Sequence, residues 1–435
     1  MSKKIVRERI KNSKKIAEEA HRDVTNYGIL RTETCGYIEA DSDEKTYEVT
    51  QDKIRRHVSI KACEQAYNLS FENGPIYAKH SRNGAYMLLR NSKGYLASFN
   101  TKSMNLQFEI DVNEKIYDAT YLHNEQFIAV AQKNNVFVYD GNGIEMHCVR
   151  ENSGVFKMEY LPYHYLLVAA SDKGFLRYQD ISTGKIVSQI YLRNREVTSM
   201  KQNPMNAIIH TGNVKGVVSL WSPNSKEYLM KILCHKSTVS SIEIERGGRY
   251  MITTGMDNRV NVWDLRNTYK HLNTLRTKHI LSATSLSQKN MLALSYGDNV
   301  HIWKDFIDSN CGEALYMKHK TGMPVSSVDF CNHEDILCIG HLGGISNIIV
   351  PGCGDPVYDS YEDSPFMSRK MRKEKEVRSL LEKIPYELIS MESRVGCIYN
   401  EPKVDRPKQE FSRYFEGGPS IKGALSRFYT KQQYN

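Results

Sequence analysis

The sequence predicts an all-β fold built from seven four-stranded blades, and a repeated pattern is the basis for this prediction. Short alternating apolar and polar runs are separated by Gly, Asn, Asp and Ser turns. An aromatic residue recurs near the end of one run in each unit, at intervals of 40, 39, 43, 42 and 40 residues, at Phe99, Tyr139, Tyr178, Trp221, Trp263 and Trp303. A period near 40 with four strands per unit is typical of a WD-repeat β-propeller.

The repeat at 238–276 is the best preserved and also predicts a structural hydrogen-bonded set. His235 precedes its first strand, and Asp257 lies six residues before Trp263, in a turn. We expect these side chains and a strand hydroxyl, from Thr253 or Thr254, to be buried and to satisfy one another. Trp221 and Trp303 share the register of Trp263, so we place them in the same structural propeller set rather than in a catalytic site.

The propeller is expected to span residues 72–355, with a degenerate seventh repeat around 346–350. Its last blade lacks an outer strand, and an open strand edge invites aggregation. The missing strand is expected from 65–71, ahead of the ring, or from 356–361, after it, and the sequence leaves both open. The seven blades are expected to begin near Ile76, Ile116, Val155, Val197, Val239, Leu281 and Val325.

Charge is concentrated at the two ends of the 435-residue chain, whose formal net charge is +9. Residues 1–31 carry a net +5 and residues 366–435 a net +6, which leaves −2 on the middle of the chain. Basic ends on a near-neutral body indicate polyanion contact or receptor-read targeting. The alternative is that both ends are solvated tails that keep the chain soluble.

The first 31 residues form a basic N-terminal arm, which we predict to be helical because 1–27 contains no Pro or Gly. It has no apolar core or cleavage site of the kind that marks a secretory signal. Residues 32–71 are expected to be an extended lead-in that holds a candidate closing strand. The candidate RNA- or partner-binding residues of the arm are Lys3, Lys4, Arg7, Arg9, Lys11, Lys14 and Lys15.

Residues 356–399 are expected to hold an amphipathic basic helix. Ser364 and Pro365 are a favourable start, Pro385 a stop, and 386–391 a second short helix. Val377, Leu380, Leu381 and Ile384 follow at helical spacing. The alternative is a helix that caps the propeller with its charges merely solvated. The binding candidates here are Arg369, Lys370, Arg372, Lys373, Lys375 and Arg378.

Residues 400–435 mix basic, aromatic and turn residues without periodicity, which predicts an extended basic tail that contains the candidates Lys408, Arg413 and Arg427. The nine cysteines form no C-x-x-C pair, and Cys331 and Cys338 are expected to be core thiols. The chain contains no G-x-x-x-x-G-K-[ST], H-E-x-x-H or G-x-S-x-G motif and no run of about 18 apolar residues. We therefore expect no catalytic site, metal, cofactor or membrane span.

Two segments outside the blades resemble a known family more specifically than the repeats do. One runs from Gly36-Tyr37-Ile38-Glu39-Ala40 to Thr46–Gln51, and the other from Ser368-Arg369-Lys370 to Leu380-Leu381-Glu382-Lys383-Ile384-Pro385. Gly143–Cys148 and Leu220–Asn224 add matches within the propeller. Together they resemble the small-subunit processome family called WD repeat-containing protein forty-six in animals and a U-three small nucleolar RNA-associated protein in fungi.

The resemblance implies a non-catalytic scaffold of small ribosomal subunit biogenesis in the nucleus and nucleolus, needed for folding and processing of pre-rRNA. It implies a propeller that binds processome proteins and basic arms that contact pre-rRNA and U-three small nucleolar RNA, in a protein that is monomeric within a large ribonucleoprotein. The alternatives are a WD-repeat adaptor or substrate receptor in another nuclear complex and, in a different class, a propeller enzyme.

Overall fold

The computed structural model describes residues 15, 36–39, 44–72, 74–193, 197–307, 315–356, 364 and 367–391. These residues form 28 strands in seven four-stranded sheets. Each sheet is antiparallel between neighbours, and six of the seven consist of four consecutive strands. The predicted seven-bladed β-propeller is therefore confirmed.

The first strand, β1 (Asn68–Ser70), belongs to the last blade, and the ring itself begins with β2. Blade 1 comprises β2 (Ile76–His80), β3 (Tyr86–Asn91), β4 (Tyr95–Asn100) and β5 (Leu106–Asp111). Blade 2 comprises β6 (Asp118–Tyr121), β7 (Phe127–Ala131), β8 (Val136–Asp140) and β9 (Glu145–Val149). Blade 3 comprises β10 (Val155–Leu161), β11 (Leu166–Ser171), β12 (Phe175–Asp180) and β13 (Ile186–Tyr191).

The following blades repeat this order. Blade 4 comprises β14 (Val197–Gln202), β15 (Ile209–Asn213), β16 (Val217–Trp221) and β17 (Met230–Leu233). Blade 5 comprises β18 (Val239–Ile244), β19 (Tyr250–Gly255), β20 (Arg259–Asp264) and β21 (Asn273–Arg276). Blade 6 comprises β22 (Ala283–Leu286), β23 (Leu292–Tyr296), β24 (Asn299–Trp303) and β25 (Leu315–Lys320). Blade 7 adds β26 (Val325–Phe330), β27 (Ile336–His341) and β28 (Gly344–Ile349).

The strands begin close to the predicted positions. Five first strands start at the predicted residue, whereas β6 and β22 start two residues later, at Asp118 and Ala283. The aromatic marker lies on the third strand of blades 1 to 6. Its spacing is regular because each blade repeats the same sequence of strands and turns.

The closing strand comes from ahead of the ring. β1 pairs antiparallel with β28, with Leu69 opposite Ile345 and Ser70 opposite Gly344. The sequence left two candidates open, and β1 lies within the first of them, 65–71. Residues 357–361 of the second candidate lie outside the described part of the chain.

The lead-in was predicted to be extended, and this was wrong for part of it. Helices α1 (Gln51–His57) and α2 (Ile60–Glu64) precede β1. Ile54 of α1 is 5% exposed and belongs to the apolar core of blades 6 and 7. The Gln51 amide donates to the Ile349 carbonyl (2.9 Å) and accepts from the Ile349 N–H (3.1 Å), so α1 is tied to the end of β28.

The antiparallel order divides the turns between two ends of the ring. Turns between the first and second strands and between the third and fourth strands of each blade lie at one end, which we call the segment face. Turns between the second and third strands, and the connections to the next blade, lie at the other end, which we call the connection face. This division follows from the strand order alone.

The predicted structural set forms in blade 5. The Trp263 indole N–H donates to the Thr253 hydroxyl (3.2 Å), which lies 2.9 Å from His235 Nε2, and His235 Nδ1 lies 3.0 Å from an Asp257 oxygen. Burial lowers the pKa of His235, although Asp257 opposes this, so the ring is neutral near pH 7. Thr253 then donates to Nε2, and Nδ1–H donates to Asp257, which joins the turn to the strands.

The other two tryptophans of the predicted set differ from each other. Trp221 donates to the Thr211 hydroxyl (2.9 Å), ten residues upstream, as Trp263 does to Thr253. The residue ten positions before Trp303 is Ala293, which has no hydroxyl. Within the described residues, the buried Trp303 indole nitrogen has no hydrogen-bond partner. Trp303 therefore shares the strand register of the predicted set but not this hydrogen bond.

Charged side chains of the inner strands join neighbouring blades. Lys201 of blade 4 pairs with Glu243 of blade 5 (2.9 Å), and His80 of blade 1 contacts Asp329 of blade 7 (3.0 Å). Burial alone would raise the pKa of Asp329, but the hydrogen bonds and charge of His80, together with the charge of Lys201, outweigh it, so the pKa is lowered. Cys331 and Cys338 are buried in blade 7, as predicted. No helix in the described part of the chain has the length and apolarity to span a membrane.

The two tryptophan environments give a matched test. Trp263→Phe removes a donor to Thr253, whereas Trp303→Phe removes an N–H that has no described partner. We expect Trp263→Phe to lower the free energy of unfolding by about 1 kcal/mol more than Trp303→Phe. Urea denaturation of the two variants measures this difference, and equal losses would contradict the assigned hydrogen bond.

Ring closure gives a second test at Gly344, which has φ of +142° and whose added Cβ would lie 2.0 Å from the Leu69 carbonyl oxygen of β1. The control is Gly297, also at positive φ (+58°), whose added Cβ would meet nothing within 4 Å. Gly344→Ala should destabilise the chain by about 2 kcal/mol more than Gly297→Ala. Similar denaturation midpoints for the two variants would show that β1 does not restrain the ring.

Candidate interface of the C-terminal segment

The described C-terminal segment, residues 367–391, contains the predicted basic helix in shortened form. Helix α3 spans Arg369–Leu381, and its N-cap is Ser368, whose hydroxyl accepts from the Met371 N–H (3.3 Å). The predicted start at Ser364 was therefore wrong, and so was the continuation to Pro385, because α3 ends at Leu381. The predicted second helix is a 3-10 turn over Tyr386–Leu388.

Helix α3 contacts blades 2 and 3 through polar side chains. Arg372 lies 3.7 Å from Glu125, and Glu376 lies 3.3 Å from His123 Nε2, both in the turn between β6 and β7. Ser379 is hydrogen-bonded to the Tyr165 hydroxyl. The three α3 residues lie at a spacing of four and three, which places them on one side of a helix.

The chain after α3 is fixed to blade 3. The Ile384 N–H donates to the Tyr163 carbonyl (3.0 Å), and the Ile384 carbonyl lies 3.0 Å from His164 Nδ1. The Lys383 ammonium donates to Asp180 and to the Ser182 hydroxyl. Burial would raise the pKa of Asp180, but the hydrogen bonds from Lys383 and Ser182 outweigh it, so this pKa is lowered.

The segment ends in the core at blade 4. Ile389 is 2% exposed and packs in the apolar cluster shared by blades 3, 4 and 5. Its carbonyl accepts from the Ser222 hydroxyl (2.9 Å) and from the Asn224 amide (3.1 Å). All these contacts are made by turns of the segment face, so residues 368–391 cross blades 2, 3 and 4 on that face.

The opposite side of α3 is exposed and carries both charge and apolar surface. Of the six basic residues of the whole helix, five are exposed, including the contacting Arg372, and Lys375 is half-buried. Leu381 is 82% exposed and Val377 58% exposed. The predicted amphipathic helix therefore faces the propeller with Arg372, Glu376 and Ser379 rather than with its apolar residues.

Of the remaining candidates, the structure describes Lys15 alone. Lys15 is an exposed residue in helical backbone. The other candidates of the N-terminal arm, and Lys408, Arg413 and Arg427, lie outside the described residues. The described residues contain no group of three or more His, Cys, Asp or Glu side chains placed to hold a metal ion.

Sequence reasoning missed the residues that attach the segment to the propeller. Glu376, Ser379 and Lys383 look like ordinary surface residues because their partners are up to 253 positions away in the sequence. These partners are His123, Tyr165 and Asp180, respectively. Ile389 gave a signal, since an apolar residue beyond a Pro stop is a candidate anchor. Because Ile389 belongs to no periodic run, the pattern of apolar residues does not single it out.

Two family models match parts of the chain. The BING4CT (NUC141) domain matches residues 315–392, which include β25 to β28 and the C-terminal segment, and the WD domain, G-beta repeat, matches residues 226–264. Among solved structures, the β-propeller domain of Cps50 (Swd1) from Myceliophteria thermophila superposes with a TM-score of 0.55 at 14% identity. It covers 65% of this chain and 99% of that chain, and it supports the fold alone.

Three relatives match most of the chain. Human WD repeat-containing protein 46 is 37% identical over 94% of this chain and 68% of its own length. U3 small nucleolar RNA-associated protein 7 of Saccharomyces cerevisiae is 39% identical over 88% of this chain and 73% of its own length. WD repeat-containing protein 46 of Caenorhabditis elegans is 39% identical over 82% of this chain and 62% of its own length. The chain therefore belongs to the family that contains WD repeat-containing protein 46 and U3 small nucleolar RNA-associated protein 7.

Proposed function

We propose that this chain is a non-catalytic scaffold subunit of the small-subunit processome, needed for pre-rRNA folding and processing in small ribosomal subunit biogenesis. The observation that carries this proposal is the match to a U3 small nucleolar RNA-associated protein over 88% of the chain. The proposal places the protein in the nucleolus, as one copy within a large ribonucleoprotein. Its partners are processome proteins, pre-rRNA and U3 small nucleolar RNA.

A non-catalytic role is supported by what the buried polar residues do. His235 and Asp257 bond to each other, and His235 also bonds to Thr253, which receives the indole of Trp263. These groups connect a turn to its blade and so have a structural use. A propeller can host many functions, so this argument concerns the residues of blade 5 and not the fold.

The attachment of the C-terminal segment supports a role in assembly. Residues 368–391 are held by hydrogen bonds, ion pairs and the buried Ile389, and this fixes the orientation of α3 on the segment face. Its outer side offers Lys and Arg for phosphates together with Val377 and Leu381 for an apolar partner surface. We propose that α3 and the two basic ends contact RNA and neighbouring subunits.

Neutralising the N-terminal arm tests its part in RNA binding. In the full chain, Lys3, Lys4, Arg7, Arg9, Lys11, Lys14 and Lys15 are replaced by Gln, and binding to in vitro transcribed U3 small nucleolar RNA is measured against salt concentration. Each phosphate contact that is lost should lower the slope of log affinity against log salt by about 0.7 to 0.9. The same substitution of exposed blade lysines Lys185, Lys226, Lys270 and Lys289 is the control. An unchanged slope for the arm variant would contradict RNA contact by the arm.

Depletion of the protein in cells tests the biological role. We expect small-subunit rRNA to fall and unprocessed precursor to accumulate, without a matching loss of large-subunit rRNA. Quantitative hybridisation of both mature rRNAs and of the precursor measures this, with re-expression of the chain as the control. An equal loss of both rRNAs would contradict a specific role in the small subunit.

A further inference from the structure

Four consecutive blades carry a lysine in the same turn. In blades 1 to 4, the turn between the second and third strands contains one lysine each, and these lysines are 40, 40 and 42 residues apart. All four are exposed. The corresponding turns of blades 5, 6 and 7 contain no lysine. We call this set the turn lysines: Lys93, Lys133, Lys173 and Lys215.

The turn holds the lysine backbone in place in three of these blades. The Lys93 N–H donates to the Asn91 side chain (3.3 Å), the Lys173 N–H to the Ser171 hydroxyl (3.4 Å) and the Lys215 N–H to the Asn213 side chain (3.1 Å). Each accepting residue is two positions earlier and buried. The backbone of these lysines is therefore fixed before any ligand binds, which reduces the ordering cost of binding.

A glycine at positive φ follows the lysine in the same three turns and brings the next connection close. Gly94, Gly174 and Gly216 have φ of +124°, +78° and +80°. Their carbonyls accept from backbone N–H groups of the connection to the next blade, at 3.0, 2.7 and 3.0 Å. In blade 2 the Asn134 carbonyl accepts from the Gly154 N–H (2.8 Å), so each turn lysine lies beside a blade-to-blade connection on the connection face.

These connections add a second basic residue beside each turn. Lys115, Arg150, Arg193 and Lys236 lie in the connections that follow blades 1 to 4, and all four are exposed. In the described residues of these turns and connections, the exposed acids are three, Glu114, Glu151 and Asp172, against eight basic residues. None of the turn lysines forms an ion pair with another described residue.

The remaining part of the connection face has a different character. Its turns and connections in blades 5 to 7 expose apolar side chains, including Met256 (53%), Ile280 (56%) and Leu342 (50%). An apolar surface of this kind suits a protein partner, whose interface needs a desolvated centre. In blades 1 to 4, the four turns that carry the turn lysines expose one apolar residue, Val214, which is 40% exposed. It therefore suits a ligand that is recognised by charge.

We propose that the connection face of blades 1 to 4 binds the phosphate backbone of RNA through the turn lysines and the basic residues of the adjoining connections. Lysines act as point charges toward phosphates and require no particular base. Their repetition from blade to blade matches a ligand whose charge also repeats along its length. The inference extends the proposed function, on which it rests, because it adds an RNA surface on the ring to those proposed for the arms.

The experiment neutralises the turn lysines in the full chain. Lys93, Lys133, Lys173 and Lys215 are replaced together by Gln, and the matched control replaces Lys185, Lys226, Lys270 and Lys289, which are exposed on the segment face. The probe is a fluorescently labelled RNA of mixed sequence, titrated over a range of salt concentrations. The slope of log affinity against log salt should fall by about 3 for the turn-lysine variant and remain near the wild-type value for the control.

Each alternative has its own result. An unchanged slope in the turn-lysine variant, or an equal fall of the slope in the control, overturns the proposal. The proposed function is unaffected by that result as long as the wild-type chain binds RNA through its arms. Competition by poly-L-glutamate as strong as that by unlabelled RNA at equal charge would assign the face to an acidic protein and also overturns it. If wild-type chain binds no RNA, the proposed function itself fails. Thermal unfolding of both variants verifies that they are folded. If the fourfold variant is not folded, the corresponding single Lys→Gln variants are measured instead.

Discussion

The pairing of β1 with β28 is the contact on which the rest of the ring depends. Without β1, the outer edge of β28 would be unpaired and open to other strands. The same segment places α1 against blade 7, where Ile54 enters the core and Gln51 bonds to Ile349. On the other side of blade 7, Ile345 and Cys338 pack with Ile76 and Phe99 of blade 1. The short β1 thus stabilises blade 7, and the apolar residues of blades 1 and 6 are in turn buried against blade 7.

The two ends of the ring differ in what they offer to a partner. The segment face is partly covered by residues 368–391, which present the outer side of α3 in a fixed orientation. The connection face carries lysines over blades 1 to 4 and exposed apolar residues over blades 5 to 7. The net charge of the central part of the chain is near zero and does not reveal this division, because it adds the charges of both faces together. The faces appear only when the strand order assigns each turn to an end.

The fold was predictable because it repeats. Spacing of the aromatic residues fixed the blade number, and five of seven blade starts fell on the predicted residue. Features that occur once were harder to predict. The helices α1 and α2 are short, and the contacts of Gln51 and Ile54 with blade 7 are nearly 300 residues away in sequence. For the same reason the contacting side of α3 cannot be read from its own residues, since its partners Glu125, His123 and Tyr165 come from turns of distant blades. Trp303 shares the register of Trp263 but lacks its hydrogen bond, because the position that holds Thr253 in blade 5 holds Ala293 in blade 6.

The position of the closing strand also sets an order of events during synthesis. Synthesis of β1 is complete at residue 70, whereas synthesis of its partner β28 is complete only at residue 349. Domains fold progressively as the chain emerges, and long-range pairs must wait for both members. All strands of blades 1 to 6 have therefore been synthesised while β1 still has no partner. During this interval a strand edge and the apolar side of blade 1 stay open, which exposes the nascent chain to aggregation.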